Sequence, residues 1–247
     1  MKTTLKWGSL CLVVYFIFLI IKLPAVHVLS NIPLPKGVSV NGISGTIWNG
    51  RTQRAQINGL PINDINWSLS FFPLLLGEIG ADIKAGNLRN VGQISVNGHV
   101  SFSRQHIQAE NILAYVPANL AINLLPLPLP IQAAGRFKVQ LKEVDYRLGC
   151  ETFIGKGQWL DANFTGLAGV IELGDFAADL SCQDGNVVMN VKQPNSFGLT
   201  AKATIPANMK FKIAGRFKPH ANLPKEVHQA AQFFGKPDSD GYYPIKL

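Results

Sequence analysis

The chain has 247 residues and carries 23 Lys and Arg against 15 Asp and Glu, a formal net charge of +8. Charged residues make up only 15%, against about 25% in a typical soluble domain, so part of the surface is expected to be apolar and covered by a partner or a membrane. The positive charge favours acidic partners or anionic headgroups. The basic residues are scattered, without a cluster or an interleaved aromatic platform, which argues against nucleic acid.

The first element is an apolar run from Trp7 to Ile21 that holds no charge, with Lys2 and Lys6 before it and Lys22 after it. Inside lipid such a run must be a helix, because only a helix satisfies its own backbone there. Its length of roughly 22 Å at ~1.5 Å per residue falls short of a ~30 Å hydrocarbon core. Leu5 and the stretch Leu23 to Val26 extend it if Lys6 and Lys22 snorkel to the interfaces. A cleaved signal peptide is the rival reading, but Lys22 to His27 offers no small-x-small cleavage site. A lipoprotein signal fails because Leu10, not a small residue, precedes Cys11. The expected organisation is a cytoplasmic stub over residues 1–6, a transmembrane signal anchor over 7–26, and a periplasmic β-rich domain over 27–247, as one unit or two similar halves. Orientation from charge is weak, since Lys22 and Lys36 also lie beyond the run.

The cysteines add to this. Cys11 falls in the apolar run and reads as inert, whereas Cys150 and Cys182 lie in strand-like sequence with a turn-rich segment between them. They are expected to form a disulfide in an oxidising compartment; two unrelated buried thiols are the alternative. Closing a loop of about thirty residues stabilises by roughly 3 to 4 kcal/mol in the chain-entropy view. There is no CxxC, so zinc and thioredoxin-type chemistry lack support.

Beyond Ser30 the pattern is β. Asn41-Gly42, Asn49-Gly50, Asn58-Gly59, Asn97-Gly98, Asp184-Gly185 and Asp240-Gly241 supply the positive φ angles of tight hairpins. Gly92 to Phe102 reads as a hairpin turning at Asn97-Gly98, and Asp179 to Val191 as one turning at Asp184-Gly185. Ala134-Gly135-Arg136-Phe137-Lys138 recurs as Ala214-Gly215-Arg216-Phe217-Lys218, which suggests two strands in equivalent places of a sheet. In each, Arg and Lys share one face and Phe points to the other.

Two segments break the strand pattern: Pro61 to Gly77, with a very apolar centre, and Asn111 to Pro130, which ends in alternating prolines. Those prolines exclude a central strand. The second segment is expected to cover the sheet, or else to expose Leu124, Leu125, Leu127 and Leu129 as a docking surface. Pro224 to Gly235 is the best soluble helix, with Pro at its start and Gly at its stop, and Tyr242 to Leu247 returns as a last strand. The fold class is therefore mainly β: a single N-terminal transmembrane helix, then a twisted antiparallel sheet (open, sandwich or partial barrel) with one short C-terminal helix.

Chemistry is not advertised. His27, His99, His106, His220 and His228 have no partner at a metal-ligand spacing, and no nucleophile-elbow, zinc-protease, dinucleotide or phosphate-loop motif occurs. No residue is assigned a catalytic, cofactor or metal role, and an enzyme is not expected.

One pair of segments is distinctive. Gly45-Thr46-Ile47-Trp48-Asn49-Gly50 follows a short strand-like stretch, and Trp67 is followed by Pro73-Leu74-Leu75-Leu76-Gly77. Together with the apolar start and a Cys-containing β-rich second half, they resemble the N component of the bacterial type II secretion system, the general secretion pathway protein N family. That resemblance implies an inner-membrane, non-enzymatic accessory protein with a periplasmic body. It also implies partners among the inner-membrane platform subunits or along the route to the secretin, and lipid around the anchor. Gly45, Thr46, Trp48, Gly50, Trp67, Pro73 and Gly77 carry the resemblance. Physically, Trp48 is a large apolar anchor whose indole N–H needs a partner, and Trp67 can pack beside it; a core role is expected for both. A lipid-binding or lipid-transfer protein of the AsmA-like type, with an apolar groove, is the alternative. The two differ in the inner face of the sheet: an open apolar trough favours lipid, a filled core with one exposed patch favours protein docking.

Overall fold

Alternating β-branched, aromatic and polar residues, punctuated by Asn-Gly and Asp-Gly, build a single antiparallel meander. The computed structural model describes residues 2–122, 132–166, 169–207 and 212–246, and the side chains of residues 2–5, 8, 9 and 166 lie outside that description. Helices α1 (Lys2–Ile21) and α2 (Ala25–Leu29) precede β1 (Val38–Gly45), β2 (Asn49–Ile57) and β3 (Leu60–Ser70). The short helix α3 (Phe71–Leu75) leads to β4 (Ile79–Ala85), β5 (Ser95–Ser103) and β6 (His106–Pro117), and α4 (Ala118–Ile122) precedes the long strands β7 (Ala133–Tyr146), β8 (Cys150–Gly166) and β9 (Gly169–Gln183). Then come β10 (Asn186–Lys192), β11 (Thr200–Ile205), β12 (Lys212–Phe217), helix α5 (Lys225–Ala231) with a 3-10 turn at Gln232–Phe234, and β13 (Tyr243–Lys246). Among the described residues each strand pairs with its neighbours in sequence, in the order β1 to β13, so the sheet is open and β1 and β13 are its edges.

The expected β architecture holds, with additions. Three helices of five residues (α2, α3 and α4) accompany the expected C-terminal helix. That C-terminal helix forms as α5, starting after Pro224 and stopping before Gly235, and the last strand forms as β13. Among the described residues no helix is long and apolar enough to cross a membrane.

Not every Asn-Gly is a turn. Asn58-Gly59 and Asp184-Gly185 do make hairpins, with φ of 49° and 87° in the first and 50° and 74° in the second. Asn97-Gly98, expected to turn, instead lies within the continuous strand β5, where the register slips between Asn97 and His99. The slip is a β-bulge, at which Gly98 is close to extended and not in the left-handed region of a tight turn, and a Cβ at Gly98 would overlap the Ile112 side chain on β6. Asn41-Gly42 likewise lies inside β1. Pro61 to Gly77 is also less of a break than expected, because β3 runs through to Ser70 before α3 begins.

The core follows one face of the second half of the sheet. Ala162 on β8 and Ile171, Leu173 and Phe176 on β9 are buried together with Val227 of α5. An aromatic row crosses the strands: Phe137–Trp159 at 5.3 Å, Trp159–Phe176 at 5.6 Å, Phe176–Phe197 at 6.1 Å, Phe197–Phe217 at 6.0 Å and Phe217–Tyr243 at 5.6 Å between centroids. Phe197 belongs to a loop, not a strand. Buried Asn195 braces that loop by donating to the carbonyls of Lys192 (3.0 Å) and Leu199 (2.9 Å) and accepting from the Leu199 N–H (2.8 Å). The lid is α5 with its 3-10 turn, whose Phe234 meets Phe217 edge-on at 5.2 Å. At the other end of the row, α4 lays Ala118 and Ile122 against Ala133.

The five-residue repeat has a structural meaning. Phe137 and Phe217 both sit in the aromatic row, while Arg136 stacks over Tyr115 at 4.4 Å and Arg216 over Tyr242 at 4.6 Å. The backbones differ, since Gly135 has φ +86° at a register slip and Gly215 lies in regular strand.

Cys150 and Cys182 are joined as a disulfide, with Cα atoms 5.7 Å apart, closing the open end of the β8–β9 pair. Beside it lies a polar cluster that sequence spacing does not reveal. His106 contacts Asp145 at 2.7 Å, Gln108 donates to the same carboxylate at 3.3 Å, and Arg147 lies 3.9 Å from it. Burial opposes the Asp145 charge, but the hydrogen bonds from His106 and Gln108 and the charges of His106 and Arg147 outweigh it, so its pKa falls below the ordinary carboxylate value. A depressed folded pKa stabilises above the unfolded value of about 3.9 and is lost as pH falls through the folded one. Asp145→Asn is therefore expected to lower the urea midpoint at neutral pH and to narrow the loss seen between pH ~5 and more acid solution. Parallel pH profiles for the two proteins would remove Asp145 from the acid response.

Candidate functional site

The distinctive residues converge on one place, the foot of α1. The turn between β1 and β2 is short, with Gly45 paired to Gly50, and it is closed by Thr46, whose N–H donates to Asn49 O at 3.0 Å while its Oγ1 accepts from Asn49 N–H at 3.2 Å. This closure turns Ile47 and Trp48 outward to meet the segment that leaves α1. Ile47 N–H donates to Leu23 O at 3.1 Å, and Thr46 forms a bridge with Pro24. The Trp48 indole N–H donates to Ile20 O at 2.8 Å. The last carbonyls of a helix have no partner inside it; that of Ile20 accepts from Trp48 and, at 3.3 Å, from the Leu23 N–H beyond the helix.

Trp67 supports the same turn from β3. Its indole N–H donates to Ile47 O at 3.0 Å, and its cross-strand partner is Gly50. A Cβ at Gly50 would overlap the Trp67 ring, so the absent side chain is what lets the ring lie flat on the strand. Gly50→Ala is expected to cost about 1–3 kcal/mol through overpacking and displacement of Trp67, read by urea unfolding with tryptophan emission. A cost under about 0.5 kcal/mol, the level of an ordinary surface change, would show that the ring is not seated this way.

Pro73 and Gly77 shape α3, which hangs from the end of β3. Pro73 sits in its first turn, where a missing N–H is harmless. Pro73 O accepts from both Leu76 N–H and Glu78 N–H at 2.9 Å, and Gly77 takes φ +79° to end the helix. The Trp48 ring lies 5.7 Å from that of Phe71. Gly45, Thr46, Trp48, Gly50 and Trp67 thus meet at one socket, with Pro73 and Gly77 fixing its apolar neighbour α3. Neither Trp48 nor Trp67 belongs to the buried clusters of the sheet, which replaces the expected core role: they join elements at its end.

The other sequence expectations fare differently. Leu124, Leu125, Leu127 and Leu129 lie outside the described residues. Cys11 is a free, exposed thiol on α1. Among the described residues no group of three or more His, Cys, Asp or Glu is placed to hold a metal ion. The His106–Asp145 pair and the His99–Asp82 pair (3.0 Å) come from neighbouring strands, 39 and 17 positions apart. Only the strand register could have disclosed them.

Known proteins point the same way as the motif. Residues 36–246 match the family model described as type II secretion system (T2SS), protein N. Over its full length the chain is similar to the type II secretion system protein N of Aeromonas hydrophila, at 31% identity over 100% of this chain and 98% of the relative. It is 30% identical to that of Vibrio cholerae serotype O1, over 99% and 98%, and 25% identical to that of Pectobacterium carotovorum, over 98% and 95%. No solved structure matches the chain. With the model covering most of its length and the distinctive motif residues meeting at one socket, this chain belongs to the type II secretion system protein N family.

Proposed function

We propose that the chain is a non-enzymatic accessory component of the type II secretion machinery, held in the inner membrane by α1 with its β-sheet body in the periplasm. It contacts other envelope subunits while folded proteins are exported across the outer membrane. The full-length relationship to proteins named as type II secretion components carries this reading. The reading of α1 as an anchor rests on its uncharged apolar run from Trp7 to Ile21 and on the exposure of its side chains from Leu10 to Ile21. The periplasmic placement is supported by the Cys150–Cys182 disulfide, a bond that persists in oxidising compartments.

Contacts to other subunits fit the outer edge of β1, a strand that among the described residues is laddered to β2 alone. An unpaired strand edge is a template for an added strand. The AsmA-like alternative draws no support from the second half of the sheet, whose face is filled by the aromatic row and covered by α5.

Photoreactive residues at exposed Ser39 on β1 and at Leu148 beyond β7, used in the native envelope, test the reading. Adducts to platform or secretin-route subunits at either position are the expected result. An absence of such adducts, together with unchanged export when the gene is deleted, would overturn it.

A further inference from the structure

Among the described residues α3 and the Leu76 that follows it present an exposed apolar surface. Phe72 is 79% exposed, Leu75 69% and Leu76 83%, and no charge occurs from Ser70 to Gly77. Contiguous exposed apolar residues mark a contact site. This one is built rather than loose, because Pro73 O takes two N–H donors and Gly77 closes the turn. Trp48 ties its position to α1, holding Ile20 O with its indole nitrogen and meeting Phe71 with its ring.

We propose that α3 is a second membrane contact: a short apolar wedge that enters the leaflet into which the carboxyl end of α1 emerges. This rests on the reading of α1 as an anchor. Lys22 is the first charge after the apolar run of α1, so Ile20 and Ile21 stand at the edge of the hydrocarbon. A ring touching both Ile20 and α3 then puts α3 at the same depth. Trp48 is suited to that level, since its apolar body and polar N–H favour the lipid–water boundary.

Charge points to the same occupant. On the body side of α1 the ionic side chains before the first carboxylate, Asp64, are all basic, namely Lys22, Lys36, Arg51 and Arg54, of which Arg51 pairs with Asp64 at 2.6 Å. An uncharged wedge joined through Trp48 to the segment that carries Lys22 and Lys36 fits anionic headgroups. Two attachments, α1 and α3, hold the sheet at one tilt on the membrane, whereas a single helix leaves it free to swivel.

The full chain carrying a photoreactive residue at Phe72, Leu76, Val13 or Leu148 is reconstituted in vesicles of phosphatidylethanolamine with one quarter phosphatidylglycerol. Lipid adducts at Phe72 and Leu76, several-fold above those at Leu148, are expected. Lipid adducts at Val13 without them at Phe72 and Leu76 would overturn the wedge and leave the anchor standing. No lipid at Val13 would overturn the anchor and the wedge together. In the native envelope, protein adducts at Leu76 in place of lipid would overturn the wedge in favour of a subunit contact.

Discussion

Phe176→Ala is expected to cost about 3–5 kcal/mol of folding free energy, the range for removing a large side chain from a close-packed core. Phe176 is buried and lies at the middle of the aromatic row, 5.6 Å from Trp159 and 6.1 Å from Phe197. It also belongs to the cluster that α5 covers through Val227. Truncation therefore leaves a void that three elements border and that β-sheet hydrogen bonding prevents from collapsing. Most domains have only about 5–15 kcal/mol in hand, so this one change brings the body close to unfolding at growth temperature. Urea unfolding followed by near-ultraviolet dichroism measures it. Glu172→Ala on the exposed face of β9 is the companion variant, expected to change stability by no more than about 0.5 kcal/mol. A cost below about 1 kcal/mol for Phe176→Ala would mean that the covered face is not the main core.

The second large effect is that of the disulfide. Replacing both Cys150 and Cys182 by Ser opens a loop with a sequence separation of 32 and is expected to cost roughly 3–4 kcal/mol. The bond closes the end of the β8–β9 pair where Cys150 N–H donates to Gly185 O at 2.8 Å. Its loss lets the longest strands of the sheet fray from that end. The double Ser variant should show the same urea midpoint with and without reductant, whereas the parent midpoint should fall to that level when reduced. Equal midpoints for parent and variant under oxidising conditions would remove the bond from the stability of the fold. Phe176 and the disulfide lie in the same strand pair, so the two losses need not add.

Under the proposed docking of the β1 edge, both effects bear on function through the same geometry. The β1 edge and the socket at the foot of α1 belong to the first strands, and they inherit their position from a meander that is propagated strand by strand to the covered half. An open sheet has no closing strand to restore alignment, so a weakened β8–β9 pair loosens the frame that presents the opposite edge.

Much of this was legible in the residues. Asp184-Gly185 and Asn58-Gly59 announced hairpins, Pro224 and Gly235 bracketed α5, and the cysteines announced their pairing, because each depends on neighbours in the chain or on one chemical pair. The identity of the family was legible for the same reason, in the stretch from Gly45 to Gly50. Asn97-Gly98 misled because a glycine also serves where a neighbouring strand approaches closely, as Ile112 does here, and whether it turns or bulges depends on the register of β5 against β6. Trp48 and Trp67 misled in another way: composition marks a tryptophan as apolar, but not what lies opposite it.

The sequence by itself determined the class of fold, the family and the paired cysteines, through local backbone preferences and short motifs. Only the tertiary structure decided that the sheet stays open from β1 to β13, that an aromatic row with α5 over it fills one face, and that Trp48 grips α1 and α3 at once. The contact from Trp48 to Ile20 spans 28 positions, and that between Phe176 and Phe197 crosses from a strand to a loop. Such contacts are fixed by strand register and bulges summed over many residues, a quantity no local stretch of chain encodes.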